Sequence, residues 1–259
     1  LGTIDKKADE KEGTQDNGNN QEEEEGFSFK IFKNFKKIYF LLLFNCFFLY
    51  GAFFGLNNNL NDIMQRRFGF TSEQAGNFIP IVYVCSAIIT PLFGRVTDAK
   101  GKRVLFMLIS STIFFIDHLA IAFLPDHPEA EEGGTPNYAM LVVLLGIGLF
   151  YATYAAIFWP CIPLVVPEKL TGTAYGIVTS LQNLMLAIIP IVLGAIQGAT
   201  KEIHKGYFYT EIALAAIVGI GIFVTSWMYF EDKKTGSRLD KPGGGAKASA
   251  LAARSFTKQ

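Results

Sequence analysis

In 259 residues, half of them hydrophobic and 14% aromatic, only 18% are charged, below the quarter or so usual in a soluble domain. The 23 basic and 23 acidic side chains cancel, which excludes a strongly basic nucleic-acid-binding protein. The three cysteines, Cys46, Cys85 and Cys161, stand in apolar runs without CxxC or Cys/His spacing. Neither a zinc site nor a disulfide framework is expected, and nothing calls for a cofactor.

Residues 1–29 are polar and acidic, with the run QDNGNNQEEEE. Such a composition buries too little apolar surface to fold alone. The chain begins at Leu1 without an apolar signal segment, so it is expected to be part of a longer one. Residues 1–29 then read as a disordered cytoplasmic linker, 30–236 as a transmembrane bundle and 237–259 as a disordered cytoplasmic tail. The bundle holds six apolar runs, at 38–56, 75–93, 104–124, 138–160, 173–196 and 207–230. Each approaches the roughly 20 helical residues that a hydrocarbon core about 30 Å thick requires. The expected fold is therefore all-α and integral to the membrane, with six transmembrane helices. No N-x-S/T acceptor supplies a topological mark.

Lys and Arg set the orientation. Lys30, Lys33, Lys36 and Lys37 precede the first run; Arg95, Lys100, Lys102 and Arg103 follow the second. Lys169 follows the fourth, and Lys233, Lys234, Arg238 and Lys241 follow the sixth. The other side has only Arg66, Arg67, Lys201 and Lys205, with an acidic loop at 125–137. Both termini of this chain should be cytoplasmic.

Between the second and third runs lies a basic turn, Gly94-Arg95-Val96-Thr97-Asp98-Ala99-Lys100-Gly101-Lys102-Arg103. Gly94 permits close helix contact, Gly101 a positive φ, and Asp98 can favour the positive end of a neighbouring helix. The pattern resembles the G-x-x-x-D-[RK]-x-G-[RK]-[RK] loop of the major facilitator superfamily at Gly94, Asp98, Gly101, Lys102 and Arg103. It departs at Ala99, where Arg or Lys is usual. The resemblance implies one half of a twelve-helix fold, with the loop acting in conformational exchange.

Pro160, Pro163 and Pro167 should end the fourth helix, since proline cannot donate to the ladder. Gly172 and Gly176 then stand one turn apart, as do Gly51 and Gly55, and Gly194 and Gly198; all read as packing contacts. Trp159-Pro160, Val165-Val166-Pro167-Glu168, Thr171-Gly172-Thr173-Ala174-Tyr175-Gly176 and Ser180-Leu181-Gln182-Asn183-Leu184 narrow the resemblance. They are similar to the C-terminal half of a lysosomal dipeptide-transporting branch of that superfamily. The branch implies uniport and a heavily glycosylated lumenal accessory subunit. It also implies an N-terminal six-helix half of the same transporter as partner.

Polar groups in hydrocarbon require a partner or water. Gln182 and Asn183, near mid-membrane, carry amides suited to a peptide substrate or to a helix–helix hydrogen bond. They point about 100° apart, so both need not face a cavity. Trp159 reads as a pocket wall or an interfacial belt residue, and Tyr83 as cavity lining or packing. Asn57, Asn58 and Asn59 read as a polar exit after the first helix. Asp117 and His118 read as water contacts near the interface, with a proton relay as the sharper alternative. No nucleophile–base set points to an enzyme. The best-supported function is a dipeptide uniporter of the lysosomal membrane. The alternatives are a proton-coupled transporter of another small solute and a non-transporting membrane sensor or scaffold.

Overall fold

The computed structural model describes residues 33–129, 134–201 and 206–243. The expected linker at 1–29 and the tail beyond 243 lie outside the described residues. Lys33 and Asn34 fall in an N-terminal unit, and everything below concerns the unit that begins at Phe35. Its helices are α1 (Lys37–Arg66), α2 (Ser72–Phe78), α3 (Ile81–Lys100), α4 (Arg103–Phe123), α5 (Ala139–Val165), α6 (Thr171–Ala199) and α7 (Tyr207–Lys234). With α2 and α3 counted as one span, six segments among the described residues are long and apolar enough to cross a membrane.

Several boundaries differ from those read in the sequence. α1 runs on through Asn57, Asn58 and Asn59, so these are helical and not a segment after the helix. Leu60, Ile63 and Met64 keep one face of that extension buried while Asn58 stays exposed. The second span is broken near Pro80: Thr71 and Gln74 form a capping box on α2, and α3 restarts at Ile81. The motif at 94–103 is mostly helix, because its residues other than Gly101 and Lys102 accept helical geometry. The turn is only Gly101 (φ 67°) and Lys102 (φ 54°).

α5 likewise continues through Pro160 and Pro163 to Val165. Proline within a membrane helix is tolerated where a neighbour satisfies the carbonyl it frees. Pro163 cannot donate to the Trp159 carbonyl one turn earlier, and the Tyr175 hydroxyl donates to that carbonyl instead, at 3.0 Å.

The helices pack in the order α3, α5, α4, α7, α1, α6, with α1 and α5 also in contact. Of the apolar stretch in α1, 67% is buried, against 6% for the α2–α3 span and 22% for the span containing α6. α3 and α6 are therefore the edges, and α1 and α5 line the face left open between them. Gly51 and Gly55 bring α6 against α1: a Cβ would stand 3.6 Å from Met185 at Gly51 and 2.5 Å from Ile189 at Gly55. Among the described residues nothing lies within 4 Å of such a Cβ at Gly94, Gly172, Gly176, Gly194 or Gly198. Identical small-residue spacing thus meets a neighbouring helix in α1 but not at the glycine pairs of α6.

Buried polar groups pin the bundle. Asn45 accepts from the Tyr154 hydroxyl at 2.7 Å and donates to Thr225 at 2.6 Å, joining α1, α5 and α7. Arg67, 1% exposed, pairs with Asp126 and donates to the carbonyls of Ile121, Ala122 and Leu124. It satisfies the carbonyls that end α4, where a cation is favourable.

Candidate substrate face and motif loop

Two aromatic clusters stand at different depths on the open face. One is centred on Trp159, half-buried, whose indole N–H donates to the Tyr50 hydroxyl at 3.0 Å. Its ring stacks on Tyr175 of α6, centroids 6.1 Å apart. The other is centred on Tyr83, 44% exposed, which donates to Asn57 at 2.9 Å and meets Tyr151 edge-on. Tyr151 in turn lies flat on Phe53, centroids 4.4 Å apart. Tyr50 precedes Asn57 on α1, and Tyr151 precedes Trp159 on α5, by seven and eight residues. At 1.5 Å per residue the clusters are separated by roughly 10–12 Å along the bundle axis.

Gln182 belongs with the Trp159 cluster by register. Tyr175, Gln182 and Ile189 recur at seven-residue steps and share one stripe of α6. Tyr175 in that stripe stacks on Trp159, and Ile189 approaches Gly55 of α1. Gln182 is half-buried, whereas Asn183, one position round the helix, is exposed. Among the described residues neither amide has a hydrogen-bond partner. Trp159 and Gln182 are thus placed together, Tyr83 lies at a second level, and Asn183 points away from the stripe.

Sequence reasoning passed over Tyr50, Tyr175, Tyr151 and Asn45. Asn45 was findable as the one amide inside the apolar run LLLFNCFFLY. The tyrosines carry no such mark, because tyrosine is common in any membrane helix and only the packing gives each a partner.

Asp117 and His118 lie inside the bundle and not at the water-facing position expected of them. Asp117 is 7% exposed and its carboxylate lies against Gly146 of α5. His118 is fully buried and meets Glu211 of α7, Nδ1 to Oε2 2.7 Å. α4 is packed between α5 and α7, which covers both residues and holds them away from the open face. Among the described residues, no His, Cys, Asp and Glu side chains gather in threes that could hold a metal.

At the end carrying Gly101 and Lys102, the Asp98 carboxylate accepts from Arg103 at 2.9 Å. Arg103 is 1% exposed and also donates to the carbonyls of Lys241, at 3.0 Å, and Leu239, at 3.5 Å. The first part of the segment read as a free tail, 237–243, is therefore laid across the motif.

Six spans, an open face between two edge helices and a basic two-residue turn after the second span form one architecture. The sequence profile described as Major Facilitator Superfamily matches residues 42–259. The chain belongs to this superfamily. The superfamily is one of transporters, not enzymes, and this member is a multi-pass membrane protein, with six spanning helices among the described residues. It is 30% identical over 208 residues to the lysosomal dipeptide transporter MFSD1 of Homo sapiens, covering 80% of this chain and 41% of that protein. The Bos taurus and Gallus gallus proteins of the same name are each 29% identical over 208 residues, 41% and 43% of their lengths being covered. The chain thus spans about two fifths of the length of the curated relatives it matches.

Proposed function

We propose that this chain is the C-terminal six-helix half of a lysosomal transporter that moves dipeptides by alternating access. In this reading α3 and α6 pack on an N-terminal half, and substrate binds between the halves near mid-bilayer. The carrying observation is the Trp159–Tyr175–Gln182 surface: an aromatic wall beside a half-buried amide without a partner among the described residues. A dipeptide offers an apolar side chain to the wall and a peptide group to the amide. The likeness to dipeptide transporters supports that substrate class.

The open face presents tyrosine, tryptophan and amide groups, while Asp117, His118 and Glu211 lie among α4, α5 and α7. That placement supports uniport over proton coupling, since among the described residues these acidic and histidine side chains lie away from the open face. In this reading both termini of this chain are cytoplasmic, which the basic residues at the α1 start and α7 end support. A glycosylated lumenal subunit would dock at the opposite end.

The test is thermal stabilisation of the purified complete transporter by a dipeptide series. Trp159→Ala and Gln182→Ala are each expected to weaken apparent affinity about tenfold, since an unpaired amide partner costs about 1–3 kcal/mol and 1.4 kcal/mol is a decade. Asn183→Ala should change it little. Full ligand stabilisation in both folded variants would remove this surface from the substrate site.

A further inference from the structure

Asp98 of the motif is held by groups that come from beyond the last helix. α7 ends at Lys234, and Asp232 then redirects the chain: its carbonyl accepts the Ser237 N–H at 2.8 Å and its carboxylate the Leu239 N–H at 3.1 Å. Leu239 is fully buried. From there the backbone crosses the α3–α4 turn. The Asp240 carbonyl accepts the Lys102 N–H at 3.1 Å, and the Gly243 N–H donates to the Asp98 carbonyl at 2.7 Å. The carbonyls of Leu239 and Lys241 accept from one terminal nitrogen of the Arg103 guanidinium, whose other terminal nitrogen donates to the Asp98 carboxylate.

The turn itself is expensive without this cover. Gly101 and Lys102 both have positive φ, and for lysine that conformation is disfavoured by about 1–2 kcal/mol. A Cβ at Gly101 would fall on the Asp240 carbonyl oxygen, so glycine serves the approach of the segment as well as the φ angle. Arg103 is a buried cation, and a buried guanidinium stripped of acceptors is strongly unfavourable.

We propose that residues 237–243 are a positioning clasp of the transport cycle. By filling the donors of Lys102 and Arg103 they hold the Asp98 carboxylate, 44% exposed, in one fixed orientation for its engagement with the opposing half. Release of the clasp frees Arg103 to rotate away and leaves Asp98 without its fixed geometry. The clasp rests on the alternating-access reading but not on the identity of the substrate.

The test uses the complete transporter in nanodiscs with no substrate added. Two variants loosen the clasp, Leu239→Asp and a Gly/Ser replacement of 239–243, while Leu239→Met keeps an apolar side chain in the buried site. Two quantities are read: amide exchange of Gly101 and Lys102, and the rate at which labels on the two halves interconvert between access states. Loosening should raise loop exchange about tenfold, the equivalent of losing a little over 1 kcal/mol of hydrogen bonding, and slow interconversion severalfold. Leu239→Met should keep both at the parent value, and the loosened variants should stay folded, with the melting temperature lowered by about a few degrees at most. Unaltered loop exchange overturns the clasp, and so does a loosened loop with an unaltered interconversion rate. Absence of dipeptide binding to the parent protein would fail the substrate reading and leave both readouts intact.

Discussion

The contact between Tyr175 and the carbonyl freed by Pro163 permits a sharp test. Tyr175→Phe removes one oxygen and keeps the ring stacked on Trp159. The Trp159 carbonyl then has neither the proline N–H it never had nor the hydroxyl that replaced it. A buried unsatisfied acceptor costs about 1–3 kcal/mol in water-soluble proteins, while interhelical hydrogen bonds in membranes average about 0.6 and reach about 1.7 kcal/mol. Tyr175 and Trp159 are only half-buried, so about 1 kcal/mol is expected. Pro163→Ala supplies an N–H at the helical position that reaches the same carbonyl. In that background Tyr175→Phe should cost a few tenths of a kcal/mol at most, giving a coupling near 1 kcal/mol. Reversible unfolding of the four proteins of this cycle in mixed micelles measures it. Equal losses in both backgrounds, or no loss from Tyr175→Phe beside Pro163, would refute the idea that the hydroxyl replaces the missing backbone donor.

Two further outcomes are expected. Gly55→Leu should destabilise the bundle by about 1–3 kcal/mol through overpacking against Ile189, Leu193 and Leu214, whereas Gly51→Ala, with Met185 at ordinary contact distance, should be nearly neutral; the same micelle unfolding separates them. Asn45→Ala should cost about 0.6–1.7 kcal/mol and loosen α7, seen as faster amide exchange around Gly221 and Thr225, because Tyr154 and Thr225 both lose their shared partner.

The number of spans was legible because hydrocarbon imposes a length and a composition that no soluble helix bundle repeats six times at such spacing. The superfamily was legible because Gly101 and the charges around it are required locally, by a positive φ and by the membrane boundary. Helix ends were less legible. The rule that proline ends a helix assumes that no other group satisfies the freed carbonyl, and Tyr175, sixteen residues later in the chain, does so. The candidate site was legible in part: Trp159 and Gln182 are unusual residues for their surroundings, and Tyr83 stands between Pro80 and Pro91, so the sequence singles them out. Which of them meet is a matter of register between helices. Helical spacing puts Gln182 in the stripe with Tyr175, but only packing turns that stripe to Trp159, leaves Asn183 exposed and sets Tyr83 at another depth.

The sequence by itself therefore determined the solvent in which this chain folds, its six crossings and its family, since each depends on residues close together along the chain. Tertiary structure alone decided the His118–Glu211 pair, the Asn45 pin and the crossing of 237–243 over Arg103. Each joins residues far apart in sequence, and a polar group in the membrane interior takes whichever partner the packing of the helices brings to it.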